Sequence, residues 1–200
     1  MEPKELLKAM EVAVRLKDTT RHCYTEKGRH ESVAEHCWLM TLMALLLRHE
    51  FPGADMDKVI RMCLIHDLGE CFTGDIPTFE KGAADEDREQ VLLNQWVEGL
   101  PGAVSAEFRE LFREMEARQT QEAKIYKALD GLEAVFQHNH SDLSTWLPLE
   151  YTLQLSYGGD RVGFSPWLTA LKAQLNADTQ AKIAAAGAGS PAEAAPGRSC

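Results

Sequence analysis

Apolar residues recur at every third or fourth position along most of the chain, which is the spacing of helices with one buried face. Leu6, Met10 and Val14 form the first such face, and Ile125 and Leu129 lie on a later one. Strand-like alternation is rare. The pattern predicts an all-α protein, a compact bundle of about six to eight helices, with helices over residues 6–17, 33–50, 56–68, 85–98, 105–118, 120–139 and 166–177.

Two of these helices begin at recognisable capping residues. In "SVAE", Ser32 and Glu35 have the spacing of a capping box, in which each side chain accepts a hydrogen bond from the other residue's backbone. His36 is therefore expected in the first turn of that helix. Asp55 caps the next helix, and Gly69 is expected to supply the backbone conformation that ends it.

Three segments depart from the helical pattern. Residues 18–30, "DTTRHCYTEKGRH", are rich in turn-forming residues and are predicted as a loop, and "EYTLQLSY", residues 150–157, is the one candidate strand. Of the last 17 residues, 14 are Ala, Gly, Pro or Ser, so this segment buries too little apolar area to offset its ordering entropy. We expect one domain over residues 1–183 and a disordered tail over 184–200.

Composition and charge narrow the possible partners. The 200 residues are 44% apolar and 26% charged, as in a globular protein, and the net charge of −10 disfavours nucleic acid as a partner. The longest apolar run, Trp38 to Leu47, is too short to cross a bilayer, so we expect no membrane partner. The N-terminal "MEPKELLKAM" is acidic where a signal peptide is basic, which favours the cytoplasm.

The acidic chain nevertheless has one cationic segment that could attract a small anion. Residues 15–30 contain five cations and two carboxylates, a local charge of +3. The cations are Arg15, Lys17, Arg21, Lys27 and Arg29. The five cysteines form no CxxC pair and are expected to be reduced thiols.

Four ionisable groups stand in "CLIHDLGECFTGDIP", residues 63–77, at the end of an apolar helix. A carboxylate near a core is costly unless it is paired or bound to a metal. His66 and Asp67 alone fit an exposed helix end equally well. With His36 at another helix start and Asp130 inside the apolar-faced "YKALDGLEA", they form a plausible nitrogen and oxygen shell for a divalent ion.

The order of these motifs resembles that of a known family. "SVAEHCWLM", then "HDLGECFTGDIP", then "KALDGLEA" is similar to the H, HD, D signature of the HD-domain phosphohydrolases. "RHESVAEH" with "TGDIP" resembles the 5'-deoxynucleotidases of that superfamily, which remove phosphate from deoxyribonucleoside 5'-monophosphates. The resemblance spans residues 4–136 and implies a helical HD domain and, as in related enzymes, a homodimer.

The resemblance also implies roles for individual residues. It makes Glu70 and Asp75 the catalytic carboxylates, with Asp75 also contacting substrate, and Arg21 a ligand of the substrate phosphate. His22 stands where the best-matching members have an aromatic contact to the sugar, so the preference for deoxyribose over ribose stays open. The implied ligands of the single divalent ion (Mn, Co, Fe, Zn or Mg) are His36, His66, Asp67 and Asp130.

The residue types suit phosphomonoester hydrolysis, which needs neutralised phosphoryl oxygens, an activated water and a proton for the leaving oxygen. Arg21 can bind phosphate through its planar fork of donors. Our hypothesis assigns Glu70 as acid to the leaving oxygen and Asp75 as the residue that orients water. The alternatives are an HD hydrolase of another phosphorylated metabolite or a nucleoside triphosphate, and a regulatory module that binds metal or nucleotide without turnover.

Other polar residues have simpler interpretations. Arg29 is either a second phosphate ligand or a solvated loop residue. His138 and His140 lie two apart, on different faces of a helix, and so offer no shared metal site. Cys63, one turn before His66, is either near the metal or a buried packing residue.

Overall fold

The computed structural model describes residues 1–188, with side chains to residue 186, and confirms the all-α prediction. Within that part of the chain, three short 3-10 helices, at residues 14–17, 143–145 and 159–161, accompany the α-helices. The α-helices comprise eight of at least seven residues and one single turn, and the strands form one small hairpin. In chain order they are α1 Pro3–Ala13, β1 Thr20–Tyr24, β2 His30–Ser32, α2 Val33–Leu46, α3 Met56–Ile65, α4 Glu70–Thr73, α5 Ala83–Glu98, α6 Gly102–Ala117, α7 Gln121–His140, α8 Glu150–Ser156 and α9 Pro166–Ala188.

Helix α7 is the centre of the core, and α2, α3, α6 and α9 pack around it. Its buried residues lie on nearly every side of the helix rather than in one stripe, as expected for a helix that is surrounded. Ile125, Leu129 and Leu132 have no exposed surface, and they meet Met40 of α2 and Met62 of α3 in one apolar cluster. Polar groups on α7 are therefore held in a rigid, low-dielectric setting.

The predicted caps position the first turn of α2. The Ser32 hydroxyl accepts from the Glu35 backbone N–H at 3.3 Å, and the Glu35 carboxylate accepts from the Ser32 backbone N–H at 2.9 Å. Asp55 accepts from the Lys58 backbone N–H at 3.0 Å at the start of α3. His36 consequently lies in the first turn of a firmly capped helix, buried to 1% exposure.

The turn after α3 differs from the prediction in length and in the role of its glycine. Helix α3 ends at Ile65 rather than Leu68, and a new single turn, α4, starts at Glu70. Gly69 has ordinary right-handed φ and ψ, so it does not end the helix through a left-handed conformation. A Cβ at this position would lie 2.6 Å from Cγ of Glu89, so a larger residue would require the Glu89 side chain to move.

Two segments predicted without helices have different structures. Residues 20–32 form an antiparallel hairpin, with Thr20 opposite Ser32 and Tyr24 opposite His30, rather than a loop. The predicted strand over 150–157 is wrong, because residues 150–156 form helix α8. Its buried positions, Glu150 and Gln154, are one helical turn apart and polar. The pattern of apolar residues alone therefore does not reveal the helical spacing of the buried face.

The last helix is longer than its sequence suggests. Helix α9 begins at Pro166 as expected but continues past Ala177 to Ala188, and so includes residues 184–188 of the predicted tail. Residues 189–200 of that tail lie outside the described part of the chain. Among the described helices, none is long and apolar enough to cross a membrane.

Candidate metal centre and substrate pocket

Four side chains from three parts of the fold converge on one point, and we call them the metal ring: His36, His66, Asp67 and Asp130. His36 comes from α2, the His66–Asp67 pair from the turn after α3, and Asp130 from the middle of α7. Nε2 of His66 lies 3.2 Å from Nε2 of His36 and 2.9 Å from Oδ2 of Asp67. Oδ1 of Asp130 lies 3.4 Å from Nε2 of His36 and 3.7 Å from Nε2 of His66.

The second nitrogen of each ring histidine is held by an acceptor outside the ring. Nδ1 of His36 is hydrogen-bonded to Oε2 of Glu133, and Nδ1 of His66 lies 2.9 Å from the backbone carbonyl oxygen of Cys63. A carboxylate or carbonyl oxygen requires a hydrogen-bond donor, so Nδ1 carries the proton in both imidazoles. Nε2 of each imidazole can then offer a lone pair to a metal ion. The Cys63 side chain itself is fully buried.

Asp130 is fixed at its outer oxygen in the same way. Lys127, one turn earlier on α7, donates from Nζ to Oδ2 of Asp130 at 2.7 Å, which leaves Oδ1 facing the ring. Burial opposes ionisation of Asp130, but Lys127 and the two ring histidines outweigh it and hold its pKa well below the usual range. Asp130 is therefore an ionised, oriented donor.

The donor set of the metal ring fits a divalent cation. Donors bound about 2.0–2.2 Å from one ion lie about 3–3.5 Å apart, close to the separations of the ring atoms. Burial and Arg21 lower the pKa of His36, but Glu133 and Asp130 outweigh them and raise it to about 9. Glu133 and Asp130 thus attract positive charge strongly enough to hold an extra proton on His36, which a divalent ion would displace.

Glu70 lies beside the ring, at the first position of α4, and is 7% exposed. Its Oε2 is buried without a hydrogen-bond partner among the described residues. Burial, Asp67 and Asp75 together raise the pKa of Glu70 to about 10. A buried carboxyl that keeps its proton near neutral pH is suited to donate that proton.

Next to the ring is a pocket between the hairpin, the segment after α4, and helices α7 and α8. Three residues singled out in the sequence line it: Arg21, His22 and Asp75. Burial raises the pKa of Asp75, and Arg21 opposes that rise. The charge of Asp67 raises the pKa of both Arg21 and Asp75. The charges of the metal ring therefore influence the groups that line the pocket.

Arg21 is positioned by two buried carboxylates. Its Nη1 donates to Oε2 of Glu31 at 3.1 Å and to Oε2 of Glu133 at 3.2 Å. Among the described residues, only Nη1 of Arg21 has a hydrogen-bond acceptor. Because Arg21 lines the pocket, its Nε and Nη2 can bind a ligand there. One oxygen, Oε2 of Glu133, therefore holds both Arg21 and the ring histidine His36.

The opposite wall of the pocket contains a group that we call the His22 cluster: His22, His138 and Glu150. Nε2 of His22 lies 2.8 Å from Oε1 of Glu150, and Nε2 of His138 lies 2.9 Å from the same oxygen. The ring of Phe79 stands edge-on to His22, with centroids 5.6 Å apart. His138, for which the sequence predicts no metal partner, thus lies in one group with His22 of β1 and Glu150 of α8.

Sequence reasoning also missed Glu133 and Lys127, although both left a signal. Each lies three residues from Asp130 in "KALDGLEA", the spacing that places side chains on one helix face. Arg29 does not reach the pocket. It is exposed and pairs with Glu35, donating from Nη1 at 2.8 Å.

Comparison with known proteins identifies the family. An HD domain family model matches residues 13–169. A 5'-deoxynucleotidase HDDC2 from Bos taurus is 31% identical over 92% of this chain and 90% of that protein, and the Homo sapiens protein of the same name is 30% identical with the same coverage. A crystal structure from Magnetospirillum magnetotacticum, described as a predicted metal-dependent phosphohydrolase, is 30% identical with a TM-score of 0.74, covering 92% of this chain and 97% of that one.

Proposed function

The chain belongs to the HD domain family, and on that basis we propose that it hydrolyses deoxyribonucleoside and ribonucleoside 5'-monophosphates to nucleoside and phosphate. Relatives named 5'-deoxynucleotidase match nearly the whole chain, which supports this substrate class. The observation that carries the proposal is the shared oxygen of Glu133. It fixes the candidate phosphate-binding Arg21 at a set separation from the candidate metal ligand His36.

The fold of a metal-dependent phosphohydrolase implies use of a divalent ion. We propose that the metal ring holds one such ion, from among Mn, Co, Fe, Zn and Mg. Mixed imidazole and carboxylate donors suit the first four best, and availability in the cell weighs as much as affinity. When bound, the ion supplies charge neutralisation at the phosphoryl oxygens and lowers the pKa of a bound water.

The chain's own residues would manage the rest of the reaction. The free edge of Arg21 binds the phosphate oxygens, and Asp75 orients a water towards phosphorus. The water oxygen forms the new P–O bond as the bond to the sugar O5' breaks, and one proton of the water passes to Asp75. Glu70 gives its proton to that departing oxygen, because its raised pKa keeps it protonated near neutral pH.

The test is phosphate release from a panel of deoxyribo- and ribonucleoside 5'-monophosphates, with one triphosphate, in Mn²⁺, Co²⁺, Mg²⁺ or chelator. We expect release from monophosphates with a transition metal, and none with chelator or in His66→Ala. Release from the triphosphate alone would favour the other hydrolase interpretation. If no substrate releases phosphate under any condition, the proposal is wrong.

We further propose a homodimer in the cytoplasm. Trp38 and Leu46 on α2 are 62% and 71% exposed, which is unusual for large apolar side chains and suits a subunit interface. The four cysteines in the described residues are free thiols, as in reducing compartments. Light scattering on the purified protein tests the dimer, and a monomeric mass at micromolar concentration would overturn it.

A further inference from the structure

The His22 cluster makes contacts that a neutral protein interior does not satisfy. Nδ1 of His138 lies 2.9 Å from the backbone carbonyl oxygen of Ala134, which accepts hydrogen bonds and cannot donate them. The proton of a neutral His138 must therefore be on Nδ1, and its Nε2 then carries a lone pair and no hydrogen. That lone pair points at Oε1 of Glu150, which is also an acceptor, at 2.9 Å.

The same oxygen faces a second imidazole. Nε2 of His22 lies 2.8 Å from Oε1 of Glu150, whereas Oε2 of Glu150 is occupied by the backbone N–H of Leu147 at 2.7 Å. Oε1 is thus directed at two ring nitrogens, one of which has no proton to give in the neutral state. Something positive between these atoms would satisfy all three: a second proton on His138, or a metal ion.

The arrangement has the chemistry of a metal site. Three donor atoms, from β1, α7 and α8, lie within 4.8 Å of one another. Their side chains are held from outside, since His138 is fixed through Nδ1 and Glu150 through Oε2. The side chains of His138 and Glu150 are 11% and 2% exposed, whereas that of His22 is 24% exposed, so the cluster opens only towards the pocket.

Two imidazoles and one carboxylate select the class of ion. Imidazole nitrogen suits Zn²⁺, Co²⁺, Ni²⁺ and Fe²⁺, while Mg²⁺ and Ca²⁺ prefer sets made of oxygen donors. Three protein ligands with an open side towards a cavity are typical of sites that exchange a water or ligand. The nearest cation in the pocket lining, Arg21, is already paired with Glu31 and Glu133.

We propose that His22, His138 and Glu150 bind a second divalent transition-metal ion in the wall of the substrate pocket, separate from the metal ring. The proposal goes beyond the phosphatase activity and does not depend on it, because metal content can be measured on protein that turns nothing over.

The test counts metal ions on the full chain. Protein stripped by chelator is equilibrated with Zn²⁺ in a metal-buffered solution, desalted, and measured by elemental analysis, and Co²⁺ binding is followed by its visible absorption. We expect His66→Ala and His138→Gln each to bind one ion fewer per chain than the wild type, and the double variant to bind two fewer. His140→Gln is the matched control, because His140 is exposed on the same helix, outside the cluster, and should keep both ions.

A folding defect must not be mistaken for lost binding, so circular dichroism accompanies each variant. His22→Phe provides a second variant at the most exposed ligand, and we expect it to weaken the second ion by at least about tenfold with the fold unchanged. Equal metal content in the wild type and in His138→Gln would overturn the proposal, because the His22 cluster would then hold no ion. A second ion that survives both His138→Gln and His22→Phe would overturn it too.

Discussion

The metal ring and the His22 cluster lie close together in the fold but are built differently. In the metal ring, each imidazole uses Nδ1 on an acceptor outside the group. Its Nε2 faces the other imidazole and an oxygen of both Asp67 and Asp130. In the cluster, two imidazoles share one carboxylate oxygen, and one side is open to the pocket. The metal ring has more donors, and more of them are held by outside partners, so it should bind a metal ion more tightly. We therefore expect the metal ring to determine catalytic activity and the His22 cluster to determine substrate preference.

Removing a ring ligand should have the largest effect. We expect His66→Ala to reduce phosphate release by at least about a thousandfold, because one lost ligand takes the ion and its charge neutralisation with it. Metal content should fall by one ion per chain. Both are measured on the purified variant beside His49→Ala, whose histidine is exposed. Wild-type turnover in His66→Ala would show that activity does not depend on the metal ring.

The next largest effect should come from Glu70, which is not a member of the metal ring but lies beside it. Glu70→Gln removes the proton donor, so kcat should fall by about 10²–10³-fold while metal content stays at the wild-type value. Glu98→Gln, at an exposed glutamate, is the control. A normal kcat in Glu70→Gln would mean that another group protonates the leaving oxygen.

The same variant should make the metal-free protein more stable at high pH. The pKa of Glu70 is about 10 in the fold and near 4.5 when unfolded, so its proton stabilises the fold fully below pH 4.5. That contribution is lost as pH rises towards 10. Glutamine has no such proton to lose, so melting curves of the metal-free wild type should decline more steeply with pH than those of Glu70→Gln.

A smaller effect should come from Glu133, which supports the ring from outside. Glu133→Gln keeps an acceptor for His36 but loses the negative charge that orients it, so metal affinity should fall by about 10–100-fold. Competition with a chelator measures this affinity, and Glu116→Gln on the surface of α6 is the control. An unchanged metal affinity would mean that Glu133 does not support metal binding through His36 and only positions Arg21.

The two regions also differ in what the sequence could predict. The ring residues stand in short motifs whose order resembles a family signature, and the capping box correctly places His36 at the start of α2. Glu133 was within reach, since its three-residue spacing from Asp130 puts both on one face. His138 and Glu150 were not, because their meeting depends on α8, which hydrophobic alternation predicted as a strand.

The smallest effect should be on substrate choice at His22. The resemblance puts an aromatic sugar contact at this position, and here a polar imidazole is tied to Glu150. Phenylalanine cannot hydrogen-bond a ribose 2'-hydroxyl, so His22→Phe should lower kcat/KM for a ribonucleotide more than for its deoxy counterpart. One hydrogen bond, at about 1 kcal/mol, corresponds to roughly a fivefold change in the ratio. The ratio is measured with dUMP and UMP beside His49→Phe. An unchanged ratio would mean that the His22 cluster does not contact the sugar. The metal ring and the His22 cluster would then not differ in the way proposed, with activity set by one and substrate preference by the other.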